Sequence, residues 1–141
     1  VSVDFEFVKA GQLLPELKLP PIDRATLALF AGASGDHNPI HIDIDVARKA
    51  GLDDVFAQGM LPMAYLGRLL TTWAPPLRWR GFNARFAGMT RLGDMLTCSG
   101  TLVEKIERDG RRGGERLARI EVKAANQAGE IRITGEVLIA F

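Results

Sequence analysis

The stretch Met60–Trp73 constrains this chain more than any other, because it is apolar on nearly every side of a helical wheel. A helix of that composition is stable in water only when other structure wraps it, so it must be central rather than lie on a surface. Pro62 is tolerated in the first helical turn, which sets the helix start near Gly59 and leaves its first amides without intrahelical partners. Ala74-Pro75-Pro76 ends it.

What could wrap such a helix follows it in the chain. After position 77 the pattern changes to long extended stretches, about 78–86, 94–107, 116–126 and 130–140. Leu96, Cys98, Gly100 and Leu102 alternate with more polar residues, as do Ile131, Ile133, Gly135, Val137 and Ile139, so each strand is expected to bury one face. Turns are expected near Gly88–Gly93, Asp109–Gly114 and Ala128-Gly129, the last suiting a hairpin. Before the central helix the elements are shorter. Extended pieces are expected at 3–8 and 13–19, the second ending at Pro20-Pro21. Asp23 can cap a helix running to about Ala33, with Leu27, Phe30 and Ala31 as its apolar face and Gly32 and Gly35 loosening its end. A second short helix is expected over Asp45–Ala50, capped by Asp45 and stopped by Gly51. One buried helix and a long antiparallel sheet predict an α+β hotdog fold, the curved sheet wrapped around the helix, as a single domain over residues 1–141.

Composition excludes several classes of function. With 141 residues and 47% hydrophobic content, the chain can build a sizeable core. A net charge of +1 gives no general drive toward nucleic acid or anionic membrane. The basic run Arg108–Arg116 lacks aromatic interleaving and fits a solvated hairpin turn. No apolar run approaches the roughly 18 residues a membrane helix needs, and Val1–Glu6 lacks the regions of a signal peptide, so a cytoplasmic location is expected. Cys98, the only cysteine, sits in a strand-like stretch and is expected to be a small core residue.

The chemistry concentrates in Ala33-Ser34-Gly35-Asp36-His37-Asn38-Pro39-Ile40-His41. Asn38-Pro39 fixes a turn that prevents a continuous helix, and Asp36 and His41 flank it, a carboxylate and an imidazole that together can hold and activate one water. The competing reading makes Asp36 an Asx-turn residue and His41 a packed side chain. Free amides at Gly59 form the complementary half, since a helix N-terminus favours the negative charge that develops on a carbonyl oxygen. The pair and the helix end suit reversible addition of water across a double bond conjugated to a thioester. Gly59 also has a purely steric reading, as a small residue before a helix. His37 is assigned a supporting or solvent-facing place, and His41-Ile42-Asp43-Ile44-Asp45 resembles a metal spacing only weakly, so no metal is assigned. Met60, Met63 and Leu66 are expected in the helix core, with Met60, Met63 and Trp73 also candidates to line an acyl pocket. Arg78, Arg80, Arg85 and Arg91 are candidate phosphate contacts, Arg85 foremost.

The segment Ala31–His41, followed by Gln58-Gly59-Met60-Leu61, resembles the MaoC-like, (R)-specific enoyl-CoA hydratase and hydroxyacyl-thioester dehydratase family. The likeness covers chiefly residues 27–73 and extends through Asn83-Ala84-Arg85-Phe86 and Leu92-Gly93-Asp94 into the sheet. The resemblance implies a hotdog domain acting on thioesters of coenzyme A or acyl-carrier protein, whose phosphopantetheine belongs to the substrate, with no separate cofactor. It further implies Asp36 and His41 as the catalytic pair, Gly59 as the amide of the oxyanion site, Asn38 as a supporting hydrogen-bond residue and an (R)-3-hydroxyacyl product. Many relatives have histidine where this chain has Gln58, an amide that cannot titrate near neutral pH; altered loop support or substrate preference is expected from it. The resemblance implies a homodimer or higher homo-oligomer, or a heteromer in which an unequal partner completes the acyl pocket. Two other functions share the same pocket: a hotdog thioesterase that directs water to the thioester carbonyl, and an acyl-binding structural subunit without turnover.

Overall fold

The computed structural model describes residues 3–108 and 114–141. Its central element is the helix α3 over Met60–Trp73, which buries Leu61, Pro62, Leu66, Leu69, Leu70 and Trp73. Before it come the two-residue strand β1 (Leu17–Lys18), α1 (Arg24–Ser34) and α2 (Ile44–Lys49), with a 3-10 turn at Pro39–His41. After it come β2 (Trp79–Phe86), β3 (Thr97–Arg108), β4 (Glu115–Ala125) and β5 (Ile131–Ala140). These form one antiparallel sheet in the order β1-β3-β4-β5-β2. Cys98, Leu102, Ile120, Val122, Ile133, Val137 and Ile139 line its helix-facing side, and all are buried. The result is the α+β hotdog, with α3 packed against β3, β4 and β5.

Local chemistry sets the element ends. Asp23 caps α1 by accepting the Thr26 amide at 2.8 Å, and Gly35 closes it with φ of 77°, a left-handed conformation that costs glycine little. The second helix begins one residue earlier than Asp45 because Asp43, not Asp45, is its cap, accepting the Asp45 amide at 2.9 Å. Residues 3–8 do not form the expected strand. The Phe7 amide turns back to the Asp4 carbonyl at 3.1 Å, and the buried Phe5 packs edge-on to Phe141 at 5.4 Å. Of the expected 13–19 strand, only a bridge from Leu13 to Thr101 and the short β1 exist. The 109–113 part of the expected turn and basic run lies outside the described residues. Among the described residues, no helix is long and apolar enough to cross a membrane.

Cys98 is fully buried between strands, and burial pushes its thiol up to about 12, so it is inert at neutral pH. Met60 departs from its expected core position: it is half exposed beside Gly59, whereas Leu66 is buried and Met63 partly so.

Candidate active site

The end of α1 delivers Asp36 two residues after its last helical residue, Ser34, and the 3-10 turn brings His41 back toward it. Asn38 shapes that return: its side-chain oxygen accepts the Ile40 amide at 3.2 Å, its carbonyl accepts the His41 amide at 3.1 Å, and its own amide donates to Asp36 Oδ1 at 3.3 Å. With Oδ1 so engaged, Oδ2 faces His41 Nε2 at 3.9 Å. That separation exceeds a direct hydrogen bond.

The imidazole is oriented from its other side. His41 is buried, its Nδ1 lies 2.8 Å from the Phe56 carbonyl, and its ring meets the Phe56 ring edge-on at 4.7 Å. A carbonyl can only accept, so Nδ1 carries the hydrogen, and the uncharged form of the ring presents its Nε2 lone pair toward Asp36. Two acceptors therefore face each other across 3.9 Å. A water at about 2.8 Å from both can donate one hydrogen to each, leaving its own lone pairs pointed outward.

Phe56 is the residue that sequence reasoning missed, and it ties the acid/imidazole turn to the segment that enters α3. Two residues on, Gln58 makes a second tie: fully buried, it donates through Nε2 to the Leu27 carbonyl of α1 at 3.1 Å. Its Oε1 has no partner among the described residues. Gly59 then opens α3 in helical conformation, with φ of −56°. No hydrogen bond from the Gly59 or Met60 amide is found among the described residues, while the Leu61 amide is taken by the Gln58 carbonyl at 3.0 Å. Gly59 is exposed, and the Phe86 ring stands over it, 3.6 Å from where a Cβ would sit.

The other singled-out residues lie as follows. His37 is exposed. Asp43 is engaged as a helix cap, and no cluster of three potential metal ligands occurs among the described residues. Trp73 closes the far end of α3, about 20 Å along the axis from Gly59, against Phe141 at 6.0 Å. Arg78 donates to the Val3 carbonyl and Arg80 pairs with Glu115, both at the opposite end of β2 from Phe86. Arg85 is exposed and lines a groove on the sheet face away from α3, and the Arg91 backbone bridges to Phe56.

An antiparallel sheet curved around one buried helix defines a hotdog-fold protein. The chain belongs to the MaoC-like family of hotdog hydratases and dehydratases, which act on acyl thioesters in lipid metabolism: the MaoC like domain matches residues 9–124. It is 31% identical to the (R)-specific enoyl-CoA hydratase of Rhodospirillum rubrum over 70% of this chain and 68% of that protein. Among solved structures it is similar to the R-hydratase PhaJ1 from Pseudomonas aeruginosa, with 29% identity and a TM-score of 0.78 over 94% of this chain and 82% of that one. It is also similar to a chain of the ChsH1-ChsH2 complex from Mycobacterium tuberculosis, with 26% identity and a TM-score of 0.78 over 96% of this chain and 99% of that one.

Proposed function

We propose that this chain, as a single domain, catalyses reversible hydration of a trans-2-enoyl thioester to an (R)-3-hydroxyacyl thioester, with coenzyme A the preferred carrier and acyl-carrier protein the other candidate. The observation that carries this reading is the pair of facing acceptors, Asp36 Oδ2 and His41 Nε2, whose orientation the Asn38 amide and the Phe56 carbonyl fix. A water donating to both is held with a lone pair free to attack C3. As the C3–O bond forms, one water proton passes to the pair and the double-bond electrons move toward the thioester oxygen. The Gly59 amide and the α3 dipole stabilise that oxygen. Collapse of the enolate takes a proton from the pair at C2, so H and OH have added across the bond; the reverse order is dehydration. The (R) outcome and the preference for coenzyme A are carried over from the similarity to the R. rubrum hydratase.

Half-exposed Met60 and Phe86 flank Gly59, so acyl and pantetheine groups reaching the helix end meet an open apolar rim. A second chain, identical or unequal, would close it, and the similarity to one chain of a two-chain complex supports the unequal case equally well. The test is loss of enoyl-thioester absorbance with chiral identification of the product, across short, long and bulky acyl groups and with candidate partner chains supplied. Release of free thiol instead would identify a thioesterase. Absence of turnover by folded protein under all these conditions would leave an acyl-binding subunit and end the hydratase proposal.

A further inference from the structure

The sheet face turned away from α3 carries a sorted pattern of charge that the hydration chemistry does not use. Gly100, Val122, Gly135 and Ala84 lie side by side across β3, β4, β5 and β2. They face the helix side, since a Cβ on Gly100 would meet Leu14 and Val122, and one on Gly135 would meet Val122 and Phe82. Strand alternation turns the two flanking rows outward, and between those rows runs a groove of about 570 Å³.

One wall of the groove holds Lys123 and Arg85 with Thr134 between them in register; the other holds Glu121 and Glu136 directly opposite each other, with Asn83 next to Glu136. The walls are two residues, about 6.8 Å, apart along the strands. Like charges directly opposite on neighbouring strands are unfavourable. Arg119 relieves the two acids, at 3.4 Å from Glu121 and 3.1 Å from Glu136, but it also holds Glu104 at 3.0 Å and stands beyond the acidic wall, away from the groove. Lys123 and Arg85 make no hydrogen bond or ion pair among the described residues, although Glu121 is only two positions from Lys123 on the same face of β4.

We propose that this groove is a self-complementary face that binds a second copy of this chain, the basic wall of each copy lying on the acidic wall of the other. The symmetry follows from the sorting. A two-fold axis along the groove places each strand over its own equivalent, antiparallel, and exchanges the two walls. Lys123 then lies over Glu121 of the second copy. Arg85 lies over Asn83, with Glu136 one strand spacing, about 4.8 Å, to the side. A two-fold axis along the strands would set like charge on like, so the charges select one arrangement of the two. This face is separate from the Met60–Phe86 rim, so pairing through it multiplies whatever assembly the rim makes.

The test is the mass of the whole chain in solution, by sedimentation or light scattering, for wild type, Lys123→Glu, Glu121→Lys and the double exchange. Each single variant puts two like pairs across the interface, and its association should weaken at least about tenfold, halving the mass at a suitable concentration. Mixing the two single variants pairs acid with base at both positions and should restore the wild-type mass, as should the double exchange within one chain. Circular dichroism of each variant confirms folding, and the mixture supplies the answer even where one variant is weakened. Single variants that keep the wild-type mass, a mixture that fails to reassociate, or a wild type whose mass is that of one chain would overturn the proposal.

Discussion

Two aspartates show how differently this fold treats a carboxylate. Asp94, at the turn before β3, is almost completely enclosed and receives the Arg91 amide at 2.9 Å, Asn126 Nδ2 at 3.1 Å and Arg132 Nε at 3.0 Å. Burial pushes its carboxyl up, but those hydrogen bonds and the Arg132 charge outweigh burial and hold it below the ordinary value. Asp36 accepts one amide among the described residues, keeps a side chain 40% exposed, and leaves Oδ2 facing an imidazole at 3.9 Å. A carboxylate that fixes structure is saturated with donors; one left with an open oxygen beside a basic nitrogen has capacity to hold a reacting molecule. The first welds a turn to a hairpin, and the second keeps an oxygen free.

The most forceful way to break this contrast is to neutralise each acid in turn. Asp36→Asn keeps the size and the bond from the Asn38 amide but cannot take a proton, so kcat should fall by about 10² to 10⁴ while stability stays within about 0.5 kcal/mol. His41→Gln should show a similar loss in the same absorbance assay. Asp94→Asn should do the opposite. It leaves Arg132 with only Glu130 as a carboxylate partner, at 2.8 Å, and should cost about 3 kcal/mol in denaturant unfolding, while folded enzyme keeps its kcat. The pH dependence has a definite sign. A carboxyl whose folded pKa lies below the ordinary 3.8 contributes stability that is present above that value and lost as pH falls through the folded pKa. Wild type should therefore weaken in acid below about pH 4, and Asp94→Asn should have a flatter acid limb.

A smaller effect separates the two readings of Gly59, the proposed oxyanion amide and the small residue before a helix. An added Cβ would stand 3.6 and 3.7 Å from the Phe86 ring, ordinary contact, and the backbone is already helical. Gly59→Ala should thus fold within about 1 kcal/mol of wild type. Its methyl would crowd the approach to the amide, and kcat/KM should drop about tenfold, less than the loss from deleting an oxyanion donor outright. Unchanged kcat/KM would leave Gly59 with only its steric role and remove it from the oxyanion site.

The same contrast explains what was legible in the chain. Helix α3 follows from a run apolar on nearly every side, which only a wrapped helix can satisfy, and β3 and β5 follow from alternation, because burial of one strand face is written at every second residue. Asp36, Asn38 and His41 were legible because a turn and two side chains fall within one short segment. Phe56 was not: it acts on His41 through a backbone carbonyl, and every residue type carries one. The 3–8 segment misled for a related reason. Its alternation of Val3, Phe5 and Phe7 imitates a strand, but Phe5 is buried by Phe141, with Lys105 at 4.1 Å over its ring, partners remote in sequence. At α2 two aspartates competed for the cap, and the earlier one took it. Similarly, Gln58 could be singled out, but its attachment to Leu27 spans 31 residues and has no local signature.

That attachment supplies the finest test of whether the Asp36 site is held open by its surroundings. Gln58 joins α1, which leads into Asp36, to the segment that carries the Phe56 carbonyl and Gly59. Replacing it with Met removes a hydrogen bond worth about 1 kcal/mol, but also removes a buried oxygen that lacks a partner, and the two changes should nearly cancel in stability. The residue would then show its role only in geometry. Gln58→Met should lower kcat about threefold with little change in melting temperature, since a small displacement of positioned groups is felt in rate before it is felt in folding. Gln58→His should recover most of that loss, because an imidazole N–H can again donate to the Leu27 carbonyl. If Met loses stability but keeps wild-type kcat, the strut serves packing alone, and the spacing of Asp36 and His41 is set by the Asn38 turn and the Phe56 carbonyl without it.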